Sequence, residues 1–296
     1  MTNYVPGADD TPPLVDRLRL VGGINFTTWA DLKWSRGNSH AAVLRSKLIE
    51  WQSSAAVSIE AVLREDRLGV DLVARTPGGI PKHDWALDFG DALHNFRSAF
   101  DAVAWGMAHY NGAVPRRPKS VYFPVCTDDG QWKKVLKDWV GEIDPEFQKR
   151  LRAVQPFNYM PLGGTTILSM LHDLDIVDKH RDMLVITADV EGIQLGGHYK
   201  IEDPSAPTAD SLELFPDVVF RDGAVLGTLG VGTRIRSVDQ LIFRPAVKLQ
   251  FVYEENVFDL MPVLQHFVTE SRRCLEVLLA GLPEADESIE PSWPPL

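Results

Sequence analysis

The residues best able to do chemistry fall on two short stretches. His94, Arg97 and Asp101 follow one another at spacings of three and four, which places them on one face of a helix. Asp178, His180 and Arg181 stand together further along the chain. Histidine is suited to proton transfer near neutral pH, and arginine presents a planar fork that grips phosphate or carboxylate.

One reading of these six residues is a metal-independent phosphodiester site. His94 and His180 would be the acid–base pair, Arg97 and Arg181 would bind phosphate, and Asp101 and Asp178 would orient them. The other reading is a structural network, because a charge next to an apolar stripe must be paired. Arg97 and Asp101 can pair within their helix. Arg181 interrupts the apolar stripe of Met170, Leu174, Val177 and Leu184, and an Arg181–Asp101 pair across helices would account for both. Lys179 and His180 have a simpler explanation, since cations near a helix C-terminus are favoured by about 0.3–1 kcal/mol.

A third reading uses Asp91-x-x-His94, His172-x-x-Asp175, Glu60, His266 and Glu270 as metal ligands, one or two per helix of a bundle. The acids and the order differ from the usual Glu-x-x-His arrangement. No resident metal or cofactor is expected. Neither dinucleotide nor P-loop glycine motifs occur, and Gly227-Thr228-Leu229-Gly230-Val231-Gly232 reads as turn and bulge glycine among strands.

The elements that carry these residues are legible from periodicity. Trp85, Phe89, Leu93, Phe96, Phe100, Val103 and Met107 form one continuous helical stripe, and Asp84 is expected to cap it. Leu44, Leu48, Trp51, Ala55, Ile59 and Val62 form another. Long helices are expected at about 39–65, 84–111, 165–183 and 259–281, with Asp259 capping the last. Two shorter helices are expected at about 129–139 and 145–154. The period changes to two at Arg67–Arg75 and again over about 184–254, and Asp222-Gly223 is the strongest hairpin signal.

The simplest architecture is α+β: four long helices in a bundle, with an antiparallel β-meander inserted between the third and fourth. This gives an extended arm at 1–37, one domain over 38–283, and a disordered acidic tail at 284–296.

Composition narrows the function classes. The net charge of −11 argues against coating nucleic acid or anionic membrane. Two clusters, Lys133, Lys134, Lys137 and Lys149, Arg150, Arg152, read as solvated helix faces, yet they leave room for a local basic pocket and RNA contact. The two cysteines, the absence of a 20-residue apolar run and the polar start of the chain suit a cytoplasmic, reducing location.

The stretch GDALHNFRSAFDAVAW, the FPV at Phe123–Val125 and LHDLDIVDKHR at 171–181 together resemble a group of actinobacterial and phage proteins. That group carries a D-x-L-H-N-x-R-x-x-x-D helix, an F-P-[IV] segment and a D-K-H-R helix end, in that order. The likeness covers about 90–185 and brings no established activity with it. The architecture is also similar to HEPN-type helical bundles, many of them ribonucleases of defence systems that use Arg-x(4–6)-His on one helix. Here no long helix has that spacing.

The expected function is therefore a non-catalytic binding or assembly module whose bundle holds a His/Arg/Asp network. A HEPN-like ribonuclease and a carboxylate/histidine metal bundle are the alternatives. A homodimer is compatible with either, and the partner is open.

Overall fold

The computed structural model describes residues 26–54, 57–159, 166–180, 185–216 and 218–282, without the side chains of Asn111, Lys179, His180 and Gln240. Its elements run α1 (Phe26–Ser53), β1 (Ser58–Leu63), β2 (Gly69–Arg75), α2 (Lys82–Ala108), α3 (Asp129–Val135), α4 (Pro145–Ala153), α5 (Ile167–His180), β3 (Ile186–Ile201), β4 (Ser211–Leu214), β5 (Val225–Gly230), β6 (Ile235–Tyr253), β7 (Asn256–Asp259) and α6 (Leu260–Leu279).

The class is α+β with an antiparallel sheet. The four-helix bundle is not what forms. Among the described residues there are six α-helices, and the chain divides into two compact units. Of the described residues, the first takes those within 26–41, 89–180 and 264–282, and the second those within 42–88 and 185–263. The division falls inside α1, α2 and the first turns of α6.

The helical unit is organised by α2. Phe89, Leu93, Phe96, Phe100, Val103 and Met107 are all at most 1% exposed, as the stripe requires. Phe89 meets Phe267 of α6 at 6.4 Å between ring centroids, and Phe100 meets Phe123 at 4.8 Å. On α6, Leu264, Phe267, Ser271, Cys274 and Leu278 are buried, and Ser271 Oγ accepts a 2.9 Å hydrogen bond from Trp34 Nε1. The two short helices form over 129–135 and 145–153, separated by a 3-10 turn at Trp139–Glu142. Asp128 and Asp144 cap them through the amides of Gln131 and Glu146.

The sheet unit departs from a simple meander. The strand order is β3-β6-β1-β2-β5-β4, with β7 paired to β6. The β1–β2 hairpin precedes α2 in sequence, yet it occupies the middle of the sheet. The expected helix at 39–65 thus begins earlier, at Phe26, inside what reads as an arm, and stops at Ser53. Residues 58–63 are a strand instead: Ile59 is buried while Val62 is exposed, and both pair with β2. Ile59 and Val62 are three apart, a spacing that suits a helix, so periodicity alone misassigns them.

Asp222-Gly223 turns the chain, but between a short β4 and β5 rather than in a two-residue hairpin. Asp222 Oδ1 accepts from the Thr76 amide at 2.7 Å, and Gly223 N donates to Ala74 O at 2.8 Å. The turn is thereby tied to the end of β2. Gly227 and Gly230 lie within β5, Gly227 paired with Leu72 beside a register shift and Gly230 paired with Gly69, and the next element is β6 rather than a helix. Asp259 precedes α6 and accepts from Gln250 at 3.0 Å.

Candidate functional site

Arg97 lies on the face of α2 next to the core stripe and is 5% exposed. A guanidinium taken out of water needs partners on both arms. Nη2 donates to the carbonyl of Phe123 at 2.7 Å. Nη1 lies 3.0 Å from Asp101 Oδ1, close enough to pair but without the direction of a hydrogen bond. The same Asp101 oxygen accepts from the Phe123 amide at 2.8 Å. Both backbone groups of Phe123 are thus held by one helical turn of α2. The guanidinium also stands over the Phe123 ring at 5.6 Å. Burial pushes the Arg97 pKa down, and the charges of Asp101 and Asp175 oppose that shift.

His94 sits one turn before Arg97. Its Nδ1 lies 3.3 Å from Oδ1 of Asp175 on α5, and its Nε2 lies 3.4 Å from Ser98 Oγ. The Asp175 side chain is 6% exposed and that of His94 42%, so a buried acid orients an imidazole that reaches solvent. His172, one turn before Asp175, is half-buried and its Nδ1 makes no hydrogen bond. Desolvation and then the nearby Arg97 charge push its pKa down, against smaller opposing effects of Asp173, Asp175 and Asp101.

The structure therefore brings His94, Arg97 and Asp101 together with Asp175, His172 and the Phe123 backbone. Asp178 closes on the same helix pair: a Cβ on Gly90 would lie 2.6 Å from either Asp178 carboxylate oxygen. Glycine at this position lets α5 approach α2. Arg181 and the His180 side chain lie outside the described residues, and so does the Arg181–Asp101 pair. Sequence reading missed Phe123 as a partner, because a backbone carbonyl has no signature of its own. It placed Asp175 only among metal candidates, although its position three after His172 marks it as sharing that helix face.

The metal arrangement does not assemble as expected. Glu60 lies on β1 rather than on the first helix and pairs with Arg75 through Nε at 2.6 Å. Among the described residues, no three His, Cys, Asp or Glu side chains gather as a metal ligand set. His266 and Glu270 instead line an open pocket of about 280 Å³ with Tyr159, Arg273 and Cys274. There Glu270 pairs with Arg273 at 2.9 Å, and Arg273 stands over Tyr159 at 4.8 Å. Burial raises the Cys274 thiol to about 12 and Cys126 to about 11, so neither supplies a ready thiolate.

No described helix is long and apolar enough to cross a membrane. Comparison with protein-family models, curated proteins and solved structures finds no match to this chain.

Proposed function

We propose that the chain is a non-catalytic binding or assembly module, in which the His/Arg/Asp network fixes the shape of a surface. One observation carries this reading: Arg97 spends both arms of its guanidinium on its own chain, at Phe123 O and Asp101. A phosphate-binding arginine keeps donors turned toward its ligand. An arginine whose two arms both face its own chain, one in a hydrogen bond and one in an ion pair, holds a segment in place, here the Tyr122–Pro124 strip against α2.

A second reading, acid–base chemistry on a phosphodiester with His94, is favoured by the orientation of the half-exposed imidazole by buried Asp175. One set of measurements separates the two. On the first reading, Arg97→Ala lowers stability by about 2–4 kcal/mol, toward the low side of breaking a buried pair because Asp101 remains partly solvated. Purified protein leaves single-stranded RNA intact in EDTA. RNA cleavage that disappears in His94→Ala, with Arg97→Ala melting like wild type, would establish the second reading in its place.

A further inference from the structure

The segment that Arg97 and Asp101 hold down borders a pocket that the network itself does not use. It has a volume of about 200 Å³ and is lined by Ser120, Tyr122, Pro124, Lys134, Asp138 and Trp139. Trp139 is 2% exposed and belongs to the wall, whereas Tyr122 is 55% exposed. The pocket thus joins one buried aromatic side chain, one presented aromatic face and a proline.

Its polar groups are not tied up in hydrogen bonds or ion pairs, although the Tyr122 hydroxyl acts electrostatically on Arg97. Among the described residues, Ser120 Oγ, Tyr122 Oη, Lys134 Nζ and the Asp138 carboxylate make no hydrogen bond or ion pair. The contrast with their neighbours is sharp. Lys133 pairs with Asp129 at 2.8 Å, Arg152 pairs with the same Asp129 at 3.0 Å, and Glu142 pairs with Arg116. Asp138 precedes the 3-10 turn at Trp139, yet its side chain does not cap it. Lys119 adjoins Ser120 in sequence and Lys137 adjoins Asp138, and neither has a carboxylate partner among the described residues. In a chain of net charge −11, the pocket thus presents an unpaired lysine, Lys134, and two more lysines are next in sequence to its lining residues.

We propose that this pocket binds a nucleoside phosphate, either free or as an unpaired residue of a single strand. A base has a flat π face that stacks on an exposed aromatic ring. Its phosphate is attracted to an ammonium group with no internal partner, here Lys134. Asp138 can only accept hydrogen bonds, so it selects bases that offer an exocyclic amino group. Cytosine presents such a group where uracil presents a carbonyl oxygen, so cytidine phosphates bind more tightly than uridine phosphates. The proposal goes beyond the module assignment by naming the ligand chemistry, and it rests on that assignment only for the fixing of the Tyr122 strip.

The test is a titration of the full chain, read by intrinsic Trp and Tyr fluorescence and by calorimetry. The probes are CMP, UMP and a short cytidine-rich single-stranded RNA, at low and high salt. Expected are saturable binding of CMP or of the oligonucleotide, weaker binding of UMP, and loss of affinity as salt rises. Lys134→Ala and Tyr122→Ala each weaken binding by about tenfold. Both sites are on the surface, so the melting temperature should stay at the wild-type value. Asp138→Asn narrows the preference for cytidine. Saturation by CMP identifies a free nucleotide as a sufficient ligand; saturation by the oligonucleotide alone identifies an unpaired residue in a strand. The proposal is overturned if neither probe saturates at about 1 mM, or if both variants bind like wild type. Either result leaves the Arg97 stability measurement, and the reading it tests, unaffected.

Discussion

At the scale of single residues, the site is a set of charges removed from water under unequal conditions. Arg97 is buried and paired with Phe123 O and Asp101, His94 is oriented but open, and half-buried His172 has no partner for Nδ1. His172 makes the clearest pH-dependent contribution. Its pKa is pushed below its ordinary 6.5 in the folded chain, so the unfolded chain binds the proton more readily. The stabilisation from His172 is therefore complete above about 6.5 and is lost as pH falls through the depressed folded value. His172→Gln should flatten the stability profile below about pH 6.5 while changing little at pH 8. Chemical denaturation at a series of pH values measures this, and an unchanged slope would count against the half-buried placement of the ring near the Arg97 charge.

At the scale of elements, close approach decides more than propensity. Gly37 lies inside α1, where glycine costs a helix about 1 kcal/mol relative to alanine. A Cβ there would lie 2.8 Å from two ring carbons of Phe96, which is fully buried, and 3.1 Å from Ala92 O. Gly37→Ala should thus destabilise the protein, because overpacking of about 1–3 kcal/mol outweighs the gain in propensity. A thermal melt of the variant gives the sign. The same residue shows why the start of α1 was hidden in the sequence. Gly37 falls at the end of what reads as an extended arm, and the Phe96 ring packed against it explains why a helix runs through a glycine. The α2 stripe was legible because seven large side chains repeat at helical spacing, and all are buried. The exchange of helix for strand at 58–63 was not legible, because Ile59 and Val62 satisfy a helical spacing, while Ile59 also pairs with Phe243 of the distant β6. The short helices expected at about 129–139 and 145–154 form over 129–135 and 145–153, the second with Pro145 in its first turn; the capping by Asp128 and Asp144 is visible only in the structure.

At the scale of the whole molecule, charge and topology act together. The acidic total disfavours wide contact with polyanions, so any phosphate ligand must be recognised in a small area where cations are left unpaired. Salt should therefore weaken binding with a shallow slope, reflecting about one to three phosphate contacts rather than the steep dependence of a coating protein. A slope steeper than that, measured by the same titration across salt, would point to a far wider basic footprint than the Lys134 pocket. The sequence identified the lysine cluster but not its role. Helical spacing predicts which lysines share a turn with an acid, whereas only the folded chain shows that Lys133 finds Asp129 and Lys134 does not.

The way the chain is divided has a practical corollary. The helical unit is assembled from three separate segments and the sheet unit from two, and the joins run through α1 and α2 without interruption. No single cut in a loop can therefore excise one unit intact. A deletion designed as though the sheet were an insertion would remove 183–263 and strand the β1–β2 hairpin without the β5 and β6 neighbours that flank it. Dissection of this protein has to proceed by substitution within the full chain, and a fragment that fails to express says nothing about whether its surface is the functional one.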